Sequence, residues 1–415
     1  MPGAVRKPSR LSRLFWIVGV PLIVAGSAYG IASGYFHLTA ARAATRAEAE
    51  LRDGRIASAR SSLEWVLWFH PRNSHANLAL GKIEAADAAT DKAIECFRII
   101  PAGDDLHRSA SFQLAKSLAL DGQLTAAEAE LEQYIGRYRP TQRVWDLYFR
   151  VLYLQSRTRD VVSLFERKFA ANPDSLSDVR FLLKAEFVPQ EPQETLGLLE
   201  IIHNRHPGDV NVQVALAIAL NRVDEENRAE ELLRDVLDRQ PGHHRARIVL
   251  AQWLADRQEF ESAEDVLWRS GGYPDPGDAA GIAADDRFWS VSSRLAERNA
   301  EAQRALQYID RALQLRANDK QYLTQRAQIL RQLSKKEEAA VAAQQSVEAG
   351  RAEHDLYLLA LDLENRPVSV ADCELAAQSY RKLGREERAE LWDRLGQQID
   401  RTRDFNSALE GTSTR

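Results

Sequence analysis

Lys82, Lys116, Arg150 and Lys184 stand 34 residues apart, one cation to each interval. No packing requirement repeats a charge on a fixed count. A line of four therefore points to electrostatic binding, in which ammonium and guanidinium groups receive the carboxylates of a partner. The plainer reading is a solvated helix face whose charges are neutralised by nearby Glu and Asp. Beyond Lys184 the line turns to Ile218 and Gln252, and arginines return at Arg287, Arg294, Arg298 and Arg331.

Residues able to make or break bonds are not gathered in any recognised pattern. HExxH, the phosphate-binding P-loop, GxSxG and GxGxxG are all absent. His203, His206, His243 and His244 fall near successive turns but lack carboxylates or cysteines at a ligand spacing. The only cysteines, Cys96 and Cys373, form no CxxC pair and read as small packed residues. The expectation is a protein that binds and does not catalyse, with no cofactor and no metal. The formal net charge of -5 over 415 residues argues against a nucleic-acid partner.

The elements that carry the cations follow from the same count. Ala59, Ala93, Ala127, Val161, Thr195, Ala229 and Ala263 are each 34 residues apart, and after eight extra residues the series resumes at Ala305, Ala339 and Cys373. Four positions later come Leu63, Phe97, Leu131, Phe165, Leu199, Leu233, Leu267, Ile309, Ala343 and Ala377, and three further on a set running from Val66 through Lys168 to Tyr380. Steps of four and then three put these side chains on one stripe of a helix. The first half of each period has its own marks, Leu80-Gly81, Leu114-Ala115, Leu216-Ala217 and Leu250-Ala251, where a small residue admits a neighbouring helix. Turn signals such as "RDGR", "LDGQ" and "NRVDEEN" separate the halves. Each period is thus a helical hairpin that buries its stripe only by stacking on its neighbours.

This pattern resembles the tetratricopeptide repeat. Residues 210–243 carry it best, with Leu216, Ala217, Leu220, Ala229, Leu233, Val236 and Pro241. Residues 142–175 match at Trp145, Leu152, Phe165 and Pro173, although Phe149 replaces the usual small residue. The resemblance implies a right-handed α-solenoid whose first helices line a concave groove. Arg143, Tyr153, Arg180 and Phe187 would then join Lys82, Lys116, Arg150 and Lys184 as groove residues, the aromatics supplying apolar pockets. No repeat carries the paired Lys and Asn of the chaperone-tail clamp, which argues against a chaperone adaptor.

Ahead of the repeats, Arg6, Lys7, Arg10 and Arg13 precede an uncharged run over residues 14–36. At a helical rise of about 1.5 Å per residue such a run spans roughly 35 Å, enough to cross a bilayer. The cationic flank predicts a signal-anchor helix, with the repeats on the extracytoplasmic, periplasmic side of a cytoplasmic membrane. A cleaved signal peptide is the rival, with an apolar core of about 7–15 residues. Gly19, Gly26, Gly30 and Gly34 share one face of the run, a spacing suited to close pairing of two spans in a homodimer.

The sequence therefore predicts an all-α chain: a basic segment 1–13, a membrane span 14–36, seven repeats over 40–277, an insertion at 278–285, three repeats over 286–387, a capping helix 388–405 and a frayed tail 406–415. Repeats account for nearly all of it, leaving no stretch the size of a catalytic domain. The expected function is a membrane-anchored scaffold that binds acidic protein or peptide partners for an envelope assembly, secretion or polymer-export machine. The rivals are a structural protein that self-assembles through the glycine face, and an envelope enzyme.

Overall fold

The computed structural model describes residues 46–47, 49–50, 53–171, 179–188, 192–268 and 281–412. The span predicted over 14–36, with Gly19, Gly26, Gly30 and Gly34, lies outside the described residues. Among these the chain is all-helical, without a strand, and no helix is long and apolar enough to cross a membrane.

Among the described residues from Ile56 onward nineteen α-helices follow in order: α1 Ile56–Phe69, α2 Ser74–Ala86, α3 Thr90–Arg98, α4 His107–Asp121, α5 Leu124–Arg137, α6 Gln142–Leu154, α7 Thr158–Ala171, α8 Val179–Phe187, α9 Pro192–Arg205, α10 Val210–Asn221, α11 Glu226–Arg239, α12 His244–Asp256, α13 Phe260–Trp268, α14 Asp286–Arg298, α15 Ala302–Leu315, α16 Lys320–Gln332, α17 Lys336–Asp362, α18 Val370–Lys382 and α19 Glu386–Thr412. Ala59, Ala93, Ala127, Val161, Ala229, Ala263, Ala305, Ala339 and Cys373 are all buried, as are Leu63, Phe97, Leu131, Phe165, Leu199, Leu233, Leu267, Ile309 and Ala377 one turn on. Each buried Leu contributes about 1.5–3 kcal/mol, so the stripe supplies most of the force that stacks the hairpins.

Helix starts and turns use different devices. Several first helices are capped by a side chain: Asn73 accepts from Ala76 N, Asp209 from Asn211 N and Val212 N, and Asp319 from Gln321 N and Tyr322 N. Second helices such as α3, α5, α11, α15 and α17 have no side-chain cap. Before them the chain turns through one residue of positive φ, and Gly54, Ala88, Gly122, Ser156, Asp224, Gln258, Ala300 and Ser334 hold that conformation on the repeat count. A left-handed backbone crowds the Cβ of an L-residue, so every non-glycine here costs about 1–2 kcal/mol.

Close approach is also set by residue type. A Cβ placed on Gly81 would lie 2.6 Å from the Phe97 ring, so only glycine lets α2 and α3 meet there. At the join of the ninth and tenth repeats no turn forms, and the chain runs through Gly350 as the single 27-residue helix α17. No proline stands in "SVEAGRAEHDLY", and nothing else there stops the hydrogen-bond ladder. The last helix, α19, extends to Thr412.

Contacts divide the chain into two units, the first ending at Val144 and the second beginning at Trp145. In the first unit, Ala47, Ala59, Leu63, Val66, Ala76, Leu80, Ile83 and Cys96 form a buried cluster. In the second, α8 packs on α17 although three repeats separate them in sequence. The 3-10 turn Gly281–Ala284 leads into α14 and is pinned by the fully buried Trp289, whose Nε1 donates to the Ala283 carbonyl at 2.8 Å.

Candidate partner-binding surface

Lys82 lies on α2 and Lys116 on α4, and these two first helices are neighbours in the first unit. Buried residues flank each cation, Gly81 and Ile83 around Lys82 and Ala115 and Ser117 around Lys116. The helical period therefore turns the ammonium stems outward, and both lysines are exposed. Arg143 is exposed as well. None of the three makes a hydrogen bond or ion pair among the described residues.

In the second unit the predicted residues separate into two groups. Arg150 on α6 and Arg180 on α8 are exposed and without ion pairs among the described residues. Tyr153 is half-buried, its ring 6.4 Å from Phe181, which in turn lies 5.7 Å from Phe149. Lys184 and Phe187 are engaged by the chain itself. The Lys184 ammonium pairs with Glu364, and the Phe187 ring lies 5.9 Å from Tyr380 with the Arg385 guanidinium 5.7 Å above it.

Between those two residues stands Glu186, which sequence reasoning missed. Its carboxylate accepts from the Tyr380 hydroxyl at 3.1 Å and from Nη1 of both Arg385 and Arg388. Arg388 also donates to Glu166 at 3.2 and 3.3 Å, and the Arg394 guanidinium lies 5.5 Å over Phe169. Burial, joined by the Glu186 charge, pushes the Tyr380 phenol well above its ordinary range. Burial also lowers the Arg385 pKa against the pull of Glu186, with Arg316 and Arg388 adding repulsion. For Arg388 burial works the same way, but Glu186 and Glu166 outweigh it and the net movement is upward. The C-terminal repeats are thus seated on α7 and α8 of their own unit. The one sequence trace of this was an acidic residue beside Lys184 and Phe187, too common a neighbour to single out.

Other candidates are satisfied internally. Arg287 forms a forked pair with Asp285 at 2.9 and 2.5 Å, Arg294 pairs with Asp256 at 2.7 Å, and Arg298 lies 5.3 Å over Phe260. His243 caps α12, its Nδ1 accepting from Ala246 N at 3.2 Å. No group of His, Cys, Asp and Glu is placed to hold a metal among the described residues. Burial pushes the Cys96 thiol up to about 11 and the Cys373 thiol to about 12, values of packed thiols without thiolate character at neutral pH.

One further departure lies in the stripe itself. Lys168 occupies a core position, 2% exposed, with Nζ 5.8 and 5.9 Å from the Phe149 and Phe165 ring centres. Burial lowers its pKa to about 8, and Asp146 restores part of the loss.

No family model matches the chain, and no curated protein is similar to it. Among solved structures, MamA residues 41 to the end from Desulfovibrio magneticus RS-1 is 18% identical over 43% of this chain and 97% of its own, at a TM-score of 0.33. A tetratricopeptide repeat protein from Parabacteroides merdae is 10% identical over 71% and 99%, at 0.32. The anaphase-promoting-complex assembly Cut9–Hcn1 is 15% identical over 87% and 74%, at 0.36.

What defines the class is the chain's own geometry: hairpins on a 34-residue register, a shared buried stripe, and a left-handed turn residue at one register position. Among the described residues the chain is all-α, an array of stacked helical hairpins that resembles the tetratricopeptide repeat.

Proposed function

We propose that the chain is a membrane-anchored scaffold whose first unit binds acidic segments of partner proteins through Lys82, Lys116 and Arg143. One observation carries this reading. Lys184, at the same register position as Lys82 and Lys116, holds a carboxylate of its own chain, Glu364. Lys82 and Lys116 offer the same group, exposed and without an ion pair among the described residues. A segment with carboxylates spaced to match adjacent first helices, roughly 8–10 Å apart, would satisfy both. Its mechanism is binding alone.

Anchoring rests on the uncharged run 14–36 and its cationic flank, which favour a span with the repeats on the extracytoplasmic side. Trp65 and Trp68 on α1 follow soon after in sequence and are exposed, Trp68 at 76%. Amphipathic rings of this kind suit the bilayer interface. Such placement fits support of an envelope assembly, secretion or polymer-export machine.

The test is the double reversal Lys82→Glu/Lys116→Glu in the full chain, followed by crosslinking on intact membranes and identification of captured proteins. Loss of one or more partners with unchanged helicity supports the basic surface. An identical partner set overturns it. Protease protection of the repeats in sealed vesicles tests the topology separately.

A further inference from the structure

Inside the second unit lies a cavity of about 460 Å³. Four arginines from separate elements face it: Arg159 on α7, Arg316 at the end of α15, Arg385 in the turn before α19, and Arg388 on α19. Among the described residues two carboxylates, Glu186 and Asp286, share the wall, and Asp285, Asp319 and Glu166 reach Arg159, Arg316 and Arg388 from beside it. We propose that this cavity is a binding site for an oxyanion, the phosphoryl or carboxylate group of a ligand, held by Arg159, Arg316, Arg385 and Arg388.

The donors are in excess of what the wall consumes. A guanidinium carries five N–H groups and no acceptor. Arg385 spends Nη1 on Glu186, Arg159 spends Nη1 on Asp286, and Nε of Arg316 lies 3.0 Å from Asp319 outside the cavity. Arg388 is the most committed, reaching both Glu166 and Glu186. Glu186 already serves three donors, counting the Tyr380 hydroxyl, and has little capacity left for the others. Charge on the arginines is balanced by Asp285, Asp286, Asp319, Glu166 and Glu186, so what the lining offers is unspent N–H donors.

Two of the four are held away from bulk water. Arg385 is 11% exposed and Arg388 15%, so their charges are weakly screened. The repulsion is visible at Arg385, whose pKa falls by burial, with Arg316 and Arg388 contributing, in spite of the adjacent Glu186. An oxyanion between these groups would replace repulsion by forked, charge-assisted hydrogen bonds, the geometry for which guanidinium is best suited. None of the lining residues belongs to the exposed cations assigned to partner binding.

Binding is measured on the full chain by isothermal calorimetry and thermal shift. The probes are inorganic phosphate and citrate, each against sodium chloride at matched ionic strength. The expected result is saturable binding of at least one probe with one site per chain. Phosphate alone identifies a phosphoryl ligand, citrate alone a polycarboxylate, and both the shared oxyanion chemistry. Arg316→Gln should weaken binding roughly tenfold or more. Arg294→Gln, which faces a neighbouring cavity, should leave it unchanged. Arg159→Gln removes a donor from another wall and serves if Arg316→Gln fails to fold. No saturable binding beyond matched chloride, or equal affinity in the folded lining variants and the wild type, overturns the proposal.

Discussion

Glu186→Ala is the substitution that most directly probes how the second unit holds together. The wild-type carboxylate is 8% exposed and takes hydrogen bonds from Tyr380, Arg385 and Arg388, themselves buried or nearly so. Removing one partner of a buried ion pair costs about 3–5 kcal/mol, because the remaining charge stays desolvated without its counterion. Arg388 keeps Glu166, so the lower end, about 3 kcal/mol, applies. In a repeat array such a loss falls locally, on the seating of α18 and α19 against α7 and α8. About 3 kcal/mol is roughly a 150-fold rise in the local opening equilibrium. Native-state hydrogen exchange over 370–388 reads it directly, with exchange in α10 and α11 as internal control. Glu186→Gln keeps the volume and an acceptor for the Tyr380 hydroxyl, so its effect should be intermediate. The double-mutant cycle Glu186→Gln/Arg385→Met should show coupling of about 1 kcal/mol or more. Unchanged protection over 370–388 in Glu186→Ala, or a cycle with no coupling, would refute the claim that this cluster seats the C-terminal repeats.

Two further predictions concern stability. The Lys168 ammonium gives up its proton at about 8 in the folded chain and near 10.5 when unfolded. Between those values the unfolded state binds more protons, so this group makes stability rise with pH from about 8 to 10.5, on the order of 3 kcal/mol in all, and contribute a constant penalty below. Lys168→Met should therefore raise stability at pH 7 by about 1–3 kcal/mol, less whatever the two phenylalanine faces return, and the advantage should shrink by pH 10.5. Urea denaturation of both proteins at pH 7 and 10 checks this, and a pH-independent difference would contradict it. Ala88→Gly and Ala300→Gly relieve a left-handed backbone and should each stabilise by about 0.5–1 kcal/mol. Ala340→Gly, on the exposed face of α17, should instead lose about 1 kcal/mol, and equal signs in the three melts would reject the turn argument.

How much of this was legible in the chain depends on the distance over which each interaction acts. The buried stripe from Ala59 to Cys373 could be read because helix periodicity is local, and each hairpin meets its neighbour through the same register positions. Exposure of Lys82, Lys116 and Arg150 follows from the same period, since the residues beside them point inward. The left-handed turns were half legible: Gly54 and Gly122 announce themselves, whereas Ala88, Gln258 and Ala300 adopt the conformation because the repeat demands it against their own preference. The fused helix α17 was hidden by the count itself, which marks a boundary whether or not a turn is present.

The sequence by itself determined the helices, their pairing into hairpins and the faces they bury, because these rest on interactions between residues within about one repeat. Only the tertiary structure decided that Lys184 and Phe187 are taken by Glu364 and Tyr380, and that Glu186 meets Arg385 and Arg388 across 199 and 202 positions. Those meetings depend on the small rotation between successive hairpins, summed over the second unit until its later repeats return to the earlier ones. No single repeat encodes that sum, so it becomes visible only once the hairpins are stacked.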